Sequence, residues 1–212
     1  MLTGPASRPP PDPRTSRVEV APSRSIVMLE TDRLLLRRWR ADDLAPFAAL
    51  NADPEVMEHF PARLSRAESD AFVDRIEAAF DKSGYGLWAV EVKTSGDFIG
   101  FTGLLLQTFP AHFTPAVEVG WRLARSAWGH GYASEAARAA LAYGFDTAGL
   151  GEIVSMTAAV NNRSQQVMQR IGMSRDPADD FLHPSVPDGS PIQPHVLYRI
   201  NRSGGTARTG DA

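Results

Sequence analysis

Residues 116–135 read AVEVGWRLARSAWGHGYASE, a strand-like run followed by a glycine-rich loop and the first turn of a helix. The apolar and β-branched residues of 116–123 predict a strand, and the run from Ser134 to about Asp146 predicts a helix. A second apolar run, residues 152–160, predicts a strand behind that helix. Strand, helix and strand in this order imply two parallel strands joined by a crossover.

The glycine-rich loop WGHGYA, residues 128–133, suits the binding of an anion. Gly129, Gly131 and the small Ala133 lie between a strand and a helix, so their backbone amides can converge on one point while the helix adds its partial positive charge. No Lys-Ser or Lys-Thr follows as in a P-loop, and no G-x-G-x-x-G opens a repeated βαβ unit, which disfavours ATP and NAD. The loop therefore predicts a pyrophosphate cradle, with a purely structural helix entry as the alternative.

The residues on either side of this stretch predict further strands and helices. A capping box, Ser65 to Glu68, begins a helix that runs to about Phe80. The other predicted elements are strands at 33–37, 87–92 and 98–106, helices from Asp42 and at 161–171, and a final hairpin of residues near Phe181 with 196–200. The fold class is therefore α/β (α+β), a mixed sheet that is antiparallel in its first half and parallel later.

Proline placement divides the chain. Six of the 16 prolines lie in the first 25 residues among arginines, so residues 1–27 are expected to form a disordered extension, and Met28 is an alternative start. Residues 28–202 are expected to form a single domain, and 203–212 a flexible tail. Five more prolines predict a long loop over 177–194.

The composition excludes several classes of protein. The 212 residues contain no cysteine, which excludes disulfides, Cys-ligated zinc, iron–sulfur clusters and a thiol nucleophile. A net charge of −3 gives no basic field for a polyanion, so nucleic acid is not expected as a partner. The sequence has neither a long apolar run nor an apolar signal core, so no membrane partner is expected and the predicted location is the cytoplasm.

Several motifs occur together and in order. They are Glu118-Val-Gly-Trp121-Arg-Leu, Trp128-Gly-His-Gly-Tyr-Ala-Ser-Glu135, Asn161-Asn-Arg-Ser164 and Arg170-Ile-Gly172-Met173. With the opening Leu29-Glu-Thr-Asp-Arg33-Leu-Leu-Leu-Arg37, this arrangement resembles the GNAT superfamily of acyl-CoA-dependent N-acetyltransferases, in particular its RimJ/RimL-like branch of ribosomal-protein-alanine acetyltransferases. The resemblance extends to about Ile200.

The resemblance implies a GNAT fold with helices on both faces of the sheet, whose fourth and fifth strands splay apart around acetyl-CoA, the acyl donor. Strand backbone would pair with the pantetheine, and loop amides would hold the pyrophosphate, with Trp128 where the family has Gln or Arg. The implied donor-binding residues are Trp121, Arg122, Leu123, Trp128, Gly129, His130, Gly131, Tyr132, Ala133, Ser134, Asn161 and Ser164. For Asn161, a plain helix N-cap is compatible with this role.

Two residues are candidates for the chemistry of acetyl transfer. An ammonium must lose a proton before it can attack a thioester, and Glu118, in an otherwise apolar strand, is the candidate base because burial would raise its pKa. Many family members place a tyrosine near the departing thiolate, but the corresponding residue here is Met168. Ser164 is the alternative donor, or an ordinary residue of the helix first turn, and Tyr132 within the loop is less suited.

Two histidines flank the proline-rich segment. If that segment closes a hairpin, His183 and His195 can meet as a wall of the acceptor pocket, or they are hydrogen-bonded packing residues. No metal is expected, because a site needs three or more ligands and no cysteine is present.

The sequence thus predicts an N-acetyltransferase that moves acetyl from acetyl-CoA to a primary amine by direct attack in a ternary complex. The acceptor is either a protein or peptide N-terminus or a small amine. The alternative is an acyl-CoA-binding regulatory module with little turnover. Members of this branch often form dimers, so a homodimer is expected, with the strand after the proline-rich segment exposed as its interface.

Overall fold

The strands form one mixed sheet in a computed structural model, which describes residues 28–202. The nine strands within these residues are β1 Leu29–Glu30, β2 Leu34–Arg37, β3 Leu87–Val92, β4 Phe98–Gln107, β5 Ala116–Leu123, β6 Glu152–Ala158, β7 Ser174–Arg175, β8 Phe181–Leu182 and β9 Pro194–Asn201. Their order is β1-β2-β3-β4-β5-β6-β9-β7, and β8 also pairs with β9. The predicted extension over 1–27 and the tail over 203–212 lie outside the described residues.

β5 and β6 are parallel, and the other neighbouring strands in the described part of the chain are antiparallel. The predicted mixed fold, with antiparallel strands first and a parallel crossover later, is therefore confirmed. The strands expected to be fourth and fifth are fifth and sixth here because the two-residue β1 precedes them.

Four α-helices lie within residues 28–202: α1 Leu44–Ala52, α2 Arg66–Ser83, α3 Tyr132–Asp146 and α4 Asn162–Arg170. The predicted capping box of α2 is present, since Ser65 Oγ accepts from the Glu68 amide and the Glu68 carboxylate accepts from the Ser65 amide. α2 continues past the predicted end at Phe80 to Ser83. The next residue, Gly84, caps the helix in a left-handed conformation. No helix in this range is long and apolar enough to cross a membrane.

The helices cover both faces of the sheet. On β4, the Phe101 ring contacts Phe47 of α1 and Phe72 of α2, with ring centroids 5.9 Å apart in each pair. Three residues along the same strand, Leu104 approaches Gly144 of α3. Because side chains of a strand alternate between faces, α1 and α2 lie on one face and α3 on the other.

The proline-rich segment is more ordered than the predicted loop over 177–194. It contains a short 3-10 helix, Pro177–Asp179, and the strand β8, which pairs with β9 as a hairpin. β9 itself lies between β6 and the pair β7 and β8, and its residues 195–198 are buried. The expectation that this strand is exposed as an interface is therefore wrong, because both of its edges are hydrogen-bonded.

Two glycines that face each other across β4 and β5 provide a test of the packing. A Cβ on Gly103 would lie 2.1 Å from the Gly86 carbonyl oxygen, whereas a Cβ on Gly120 would meet nothing within 4 Å. We expect Gly103→Ala to lower the free energy of unfolding by about 2 kcal/mol or more, because backbone must move. Gly120→Ala is the matched control and should change it by less than about 0.5 kcal/mol in urea titrations. Equal effects would contradict this packing.

Candidate active site

β5 and β6 separate almost as soon as they meet. One register pair joins them, Glu118 with Val154. Beyond it, residues 119–123 pair with β4 along one edge and, within residues 28–202, with no strand along the other. A cavity of about 1740 Å³ opens at this point. It lies toward the carboxyl ends of two parallel strands, where α/β sheets commonly bind ligands.

The cavity gathers side chains from distant parts of the chain. The sequence-predicted residues that line it are Glu118, Trp121, Arg122, Leu123, Trp128, Gly129, Gly131, Tyr132, Ala133, Ser134, Asn161, Ser164, His183 and His195. His130 differs, because it lines a neighbouring cavity instead and its ring stacks on Tyr132. Its role in donor binding stays a prediction.

The glycine loop is shaped by two left-handed residues. Gly129 and Gly131 both have φ of 80°, and Gly131 is the N-cap of α3. The helix therefore starts at Tyr132, two residues before the predicted Ser134. The first amides of a helix have no acceptor within it, so this loop presents free N–H donors at a positive helix end. Trp128 ties the loop to β5, because its Nε1 donates to the Leu123 carbonyl at 2.9 Å.

Residues near the start of the described chain hold the loop from the other side. Thr31 Oγ1 donates to Glu135 Oε1 at 2.6 Å, and Arg33 Nε donates to Glu135 Oε2 at 2.7 Å. Arg33 Nη1 also donates to the His130 carbonyl at 2.9 Å. We call these contacts the Glu135 clamp. It joins the first turn of α3 and the loop before it to the β1–β2 connection.

Arginines surround the loop end of the cavity. Those that line it there are Arg33, Arg125, Arg138, Arg163 and Arg170. Arg33 and Arg125 pair with carboxylates, whereas the other three pair with none within residues 28–202. This end of the cavity therefore carries a local positive charge although the chain has a net charge of −3, and it suits a polyanionic group.

Glu118 lies where the two strands part. Its carboxylate accepts from Gln107 Nε2 at 2.6 Å and from the backbone N–H of Met156 on β6. Burial raises the pKa of Glu118 to about 7, although both hydrogen bonds act in the opposite direction. A carboxylate with this pKa is half protonated near neutral pH and can accept a proton there.

α4 begins beside β6 with an ordinary cap. Asn161 Oδ1 accepts from the Ser164 amide at 3.1 Å, and Asn161 Nδ2 donates to Thr157 Oγ1 at 3.0 Å. Ser164 and Asn161 both line the cavity, while Met168 is fully buried in the core and does not. The residue that corresponds to the family tyrosine therefore does not reach this cavity.

The two histidines meet as predicted for a closed hairpin. The ring centroids of His183 and His195 are 4.8 Å apart, and Phe109 and Phe181 pack against His183. Burial lowers the pKa of both histidines, so both are neutral at pH 7. His183 Nδ1 accepts from the Ser185 amide, and His195 Nδ1 lies 3.1 Å from the Gln193 carbonyl. These partners leave the Nε2 atoms of the two rings in opposite roles, a donor on His183 and an acceptor on His195.

Within residues 28–202, no three histidine or acidic side chains are grouped as metal ligands would be. The expectation that no metal takes part stays a prediction.

The side chain of Arg122 is the main feature that the sequence analysis missed. Its Cζ lies 4.1 Å from the centroid of the Phe60 ring, 5.4 Å from that of Phe101 and 5.8 Å from that of Phe72. Nη1 donates to Asn51 Oδ1 at 2.6 Å, Nε is buried without a partner, and burial lowers the pKa of Arg122 to about 10. The sequence feature that could have identified it is the alternation of side chains along β5, which places Arg122 on the same face of the sheet as Glu118.

Comparison with known proteins agrees with this geometry. Residues 33–174 match the family described as the acetyltransferase (GNAT) domain. The protein YkkB of Bacillus subtilis is 35% identical over 148 residues, which are 68% of this chain and 84% of YkkB. A GNAT-family acetyltransferase from Bacillus anthracis is similar in structure, with a TM-score of 0.69 and 26% identity over 82% of this chain and 98% of that one.

RimL, a ribosomal L7/L12 alpha-N-protein acetyltransferase solved in complex with coenzyme A, shares the fold. The TM-score is 0.67 at 14% identity, covering 82% of this chain and 98% of RimL.

The raised pKa of Glu118 makes a prediction for stability. The folded protein holds the proton of the Glu118 carboxyl more tightly than the unfolded chain does. The stabilising contribution of this proton to the free energy of unfolding is therefore complete below about pH 4.5 and is lost as the pH rises to about 7. We expect Glu118→Gln to stabilise the fold relative to the wild type by up to about 3 kcal/mol at pH 8, with the difference shrinking toward pH 5.

Thermal and urea unfolding of both proteins between pH 5 and 8 measure this difference. Asp74→Asn, which removes an exposed carboxylate on α2, is the control and should show little dependence on pH. A constant difference between Glu118→Gln and the wild type across this range would contradict a raised pKa.

Proposed function

Because the chain belongs to the GNAT acetyltransferase family, we propose that its cavity holds acetyl-CoA beside a primary amine and that the amine attacks the thioester directly. The family makes the protein an acetyl-CoA-dependent acyltransferase. RimL and other ribosomal-protein acetyltransferases are among its structural neighbours, in agreement with the RimJ/RimL-like branch. The observation that carries the proposal is the gap between β5 and β6 beside the glycine loop.

The residues around the gap fit the donor. The unpaired edge of 119–123 can hydrogen-bond the amides of an extended arm, as a neighbouring strand would. The free amides at Gly129 and Gly131 and the arginines beyond them suit a pyrophosphate and a further phosphate. In this proposal Asn161 also contacts the arm while it caps α4.

Glu118 is the proposed base. With a pKa of about 7 it can take a proton from an ammonium, directly or through water, and so free the nitrogen lone pair. The nitrogen then forms a bond to the carbonyl carbon, and the carbon–sulfur bond breaks to release the CoA thiolate. Ser164 lines the cavity at the start of α4 and is the proposed hydrogen-bond donor to that thiolate.

The alternative of a binding module without turnover is disfavoured by the family, whose members are acyltransferases. That alternative rested on the missing tyrosine at Met168. Met168 is buried in the core and does not line the cavity, so in this proposal Ser164 supplies the donor instead.

At the acceptor end, a small amine is favoured over a protein N-terminus. The proline-rich segment folds against this end, and His183, Ser185 and the buried Val186 line the cavity from it. A segment that lines this end of the cavity leaves less room for an extended peptide, which favours a small molecule as the acceptor. The neutral His183 and His195 are proposed to orient the acceptor or to relay its proton. A homodimer stays a prediction, which sedimentation can test.

Matched glycine variants test the donor site. Gly129 and Gly149 both have positive φ, and a Cβ on either would meet nothing within 4 Å, so alanine strains both backbones in a similar way. We expect Gly129→Ala to weaken acetyl-CoA binding about tenfold or more, because the loop amides turn away, while Gly149→Ala, beyond the far end of α3, does not. Calorimetric titration with acetyl-CoA measures both. Equal affinities for the two variants would contradict the role of the loop.

The pH dependence of turnover tests the base. We expect kcat/KM to rise with pH to an inflection near 7, where Glu118 becomes ionised. Glu118→Gln should lower kcat/KM by about a hundredfold or more and remove this inflection, while Asp74→Asn keeps the wild-type profile. Thiol release from acetyl-CoA across a panel of amines and peptides is the measurement. An unchanged inflection in an active Glu118→Gln enzyme would show that another group is the base.

A further inference from the structure

We propose that the acceptor carries a carboxylate as well as the reacting amine, and that the Arg122 guanidinium binds this carboxylate in the cavity, on the α1/α2 face of the sheet. The inference rests on the proposed function, because it names the class of amine that the same cavity takes. That class is a small amino acid or a short amino-carboxylate.

The charge of Arg122 has no counterion within residues 28–202. The other carboxylates near this part of the cavity have partners of their own: Glu55 pairs with Arg125, and the Glu58 carboxylate lies 3.7 Å from His59 Nε2. The neighbours of the guanidinium are three phenylalanine rings and the amide oxygen of Asn51. A half-buried cation with aromatic neighbours and no carboxylate is costly unless something else pairs with it.

The unused atoms of Arg122 lie on one edge of its guanidinium. Nη1 is taken by Asn51, whereas Nε and Nη2 donate to no acceptor in the described part of the chain. Nε and Nη2 form the edge that can hold both oxygens of a carboxylate, and because Nε is buried, the guanidinium or the Phe60 ring must shift for a ligand to reach both atoms. A second buried nitrogen without a partner, His59 Nδ1, lies on the same cavity wall, next to the Phe60 that stacks on Arg122.

Asn51 and Ser69 fix the orientation of the Arg122 side chain. Asn51 Nδ2 donates to Ser69 Oγ at 2.9 Å, which turns the Asn51 amide oxygen toward Arg122. A role in packing alone would be met by an uncharged side chain of similar size, without the cost of desolvating a charge. The Arg122 guanidinium is a cation held in a fixed orientation in the wall of the cavity, which points to an anionic ligand.

The spacing along β5 separates the proposed base from this cation. Glu118, Gly120 and Arg122 alternate onto one face, and four strand residues span about 13 Å between the first and last Cα atoms. Gly120, between them, leaves open space, because a Cβ there would meet nothing within 4 Å. Glu118, Gly120 and Arg122 all line the cavity, so an amine near Glu118 and a carboxylate near Arg122 can belong to one molecule. A polyamine would place a second ammonium against Arg122 and is disfavoured.

Paired acceptors provide the first test. Thiol release from acetyl-CoA is measured with glycine, β-alanine, 4-aminobutyrate and 6-aminohexanoate, each against its carboxamide. We expect kcat/KM for at least one acid to exceed that for its amide about thirtyfold or more, because the amide cannot form the charge-assisted hydrogen bonds with Arg122. Amides that are as good as the acids throughout, or acetylation confined to polyamines or to peptides without an acidic group, would overturn the proposal.

Binding of the products gives a readout that does not depend on turnover. Calorimetric titration of the CoA-bound protein with the N-acetyl forms of the same acids and amides should show tighter binding of the acid for at least one chain length. If no acid binds better than its amide and none is preferred in turnover, the proposal is overturned.

Variants assign the preference to Arg122. Gln at position 122 can still donate to Asn51 but carries no charge, so Arg122→Gln should bring the acid-to-amide ratio of kcat/KM close to one. Arg122→Lys should give an acid-to-amide ratio between those of Arg122→Gln and the wild type, because lysine keeps the positive charge but lacks the paired N–H donors of a guanidinium. Arg66→Gln, on the exposed face of α2 where Arg66 pairs with Asp70, is the control and should keep the wild-type ratio. Equal losses for acids and amides in both Arg122 variants would show a structural role and overturn the proposal.

Failure of this inference and failure of the proposed function give different results. A wild-type protein that binds no acetyl-CoA contradicts the proposed function. A protein that binds acetyl-CoA and acetylates amines with no preference for a carboxylate keeps the proposed function and overturns the role of Arg122.

Discussion

The site depends on a parallel ladder that stops after one residue pair. Where β5 and β6 part, the Glu118 carboxylate of β5 accepts from the backbone N–H of Met156 on β6. One side chain thus joins the two strands at the point of divergence and remains in the cavity. Because desolvation disfavours its charged form, this half-buried carboxylate has a pKa of about 7, so the residue that bridges the two strands has the acid–base properties that the reaction needs.

Charge is arranged along the cavity in a way that the net charge of the chain does not reveal. Three arginines without carboxylate partners in the described residues lie around the loop end, and Arg122 lies on the α1/α2 face of the sheet, between Glu118 and the loop along β5. Glu118 and the two neutral histidines line the same cavity. A local field of this kind can hold anions while an amine reacts beside Glu118.

Much of this fold could be predicted because local signals and tertiary structure agree. The bounds of β3 and β5 match the predicted 87–92 and 116–123, since turn residues flank both strands. The glycine loop could be predicted because its glycines lie close together between a strand and a helix. The features that could not be predicted depend on contacts between residues that are distant in the chain. The burial of β9 is set by β6, β7 and β8, and the surroundings of Arg122 are set by phenylalanines from three separate segments. Single-sequence patterns carry no information about such pairings, although the alternation of side chains along a strand puts Arg122 on the same face of β5 as Glu118.

The Glu135 clamp has a consequence for the order in which the molecule assembles. Thr31 and Arg33 bond to Glu135, which is more than one hundred positions later in the chain. A ribosome therefore releases the β1–β2 connection long before its partner exists, and the glycine loop can take its final shape only after the two ends of this long segment have met. Contacts of such separation are closed late because the entropy of the intervening chain opposes them. A nascent chain can therefore complete the clamp only after the first turn of α3 has been made, when β1 to β5 already exist and the last four strands are still to come.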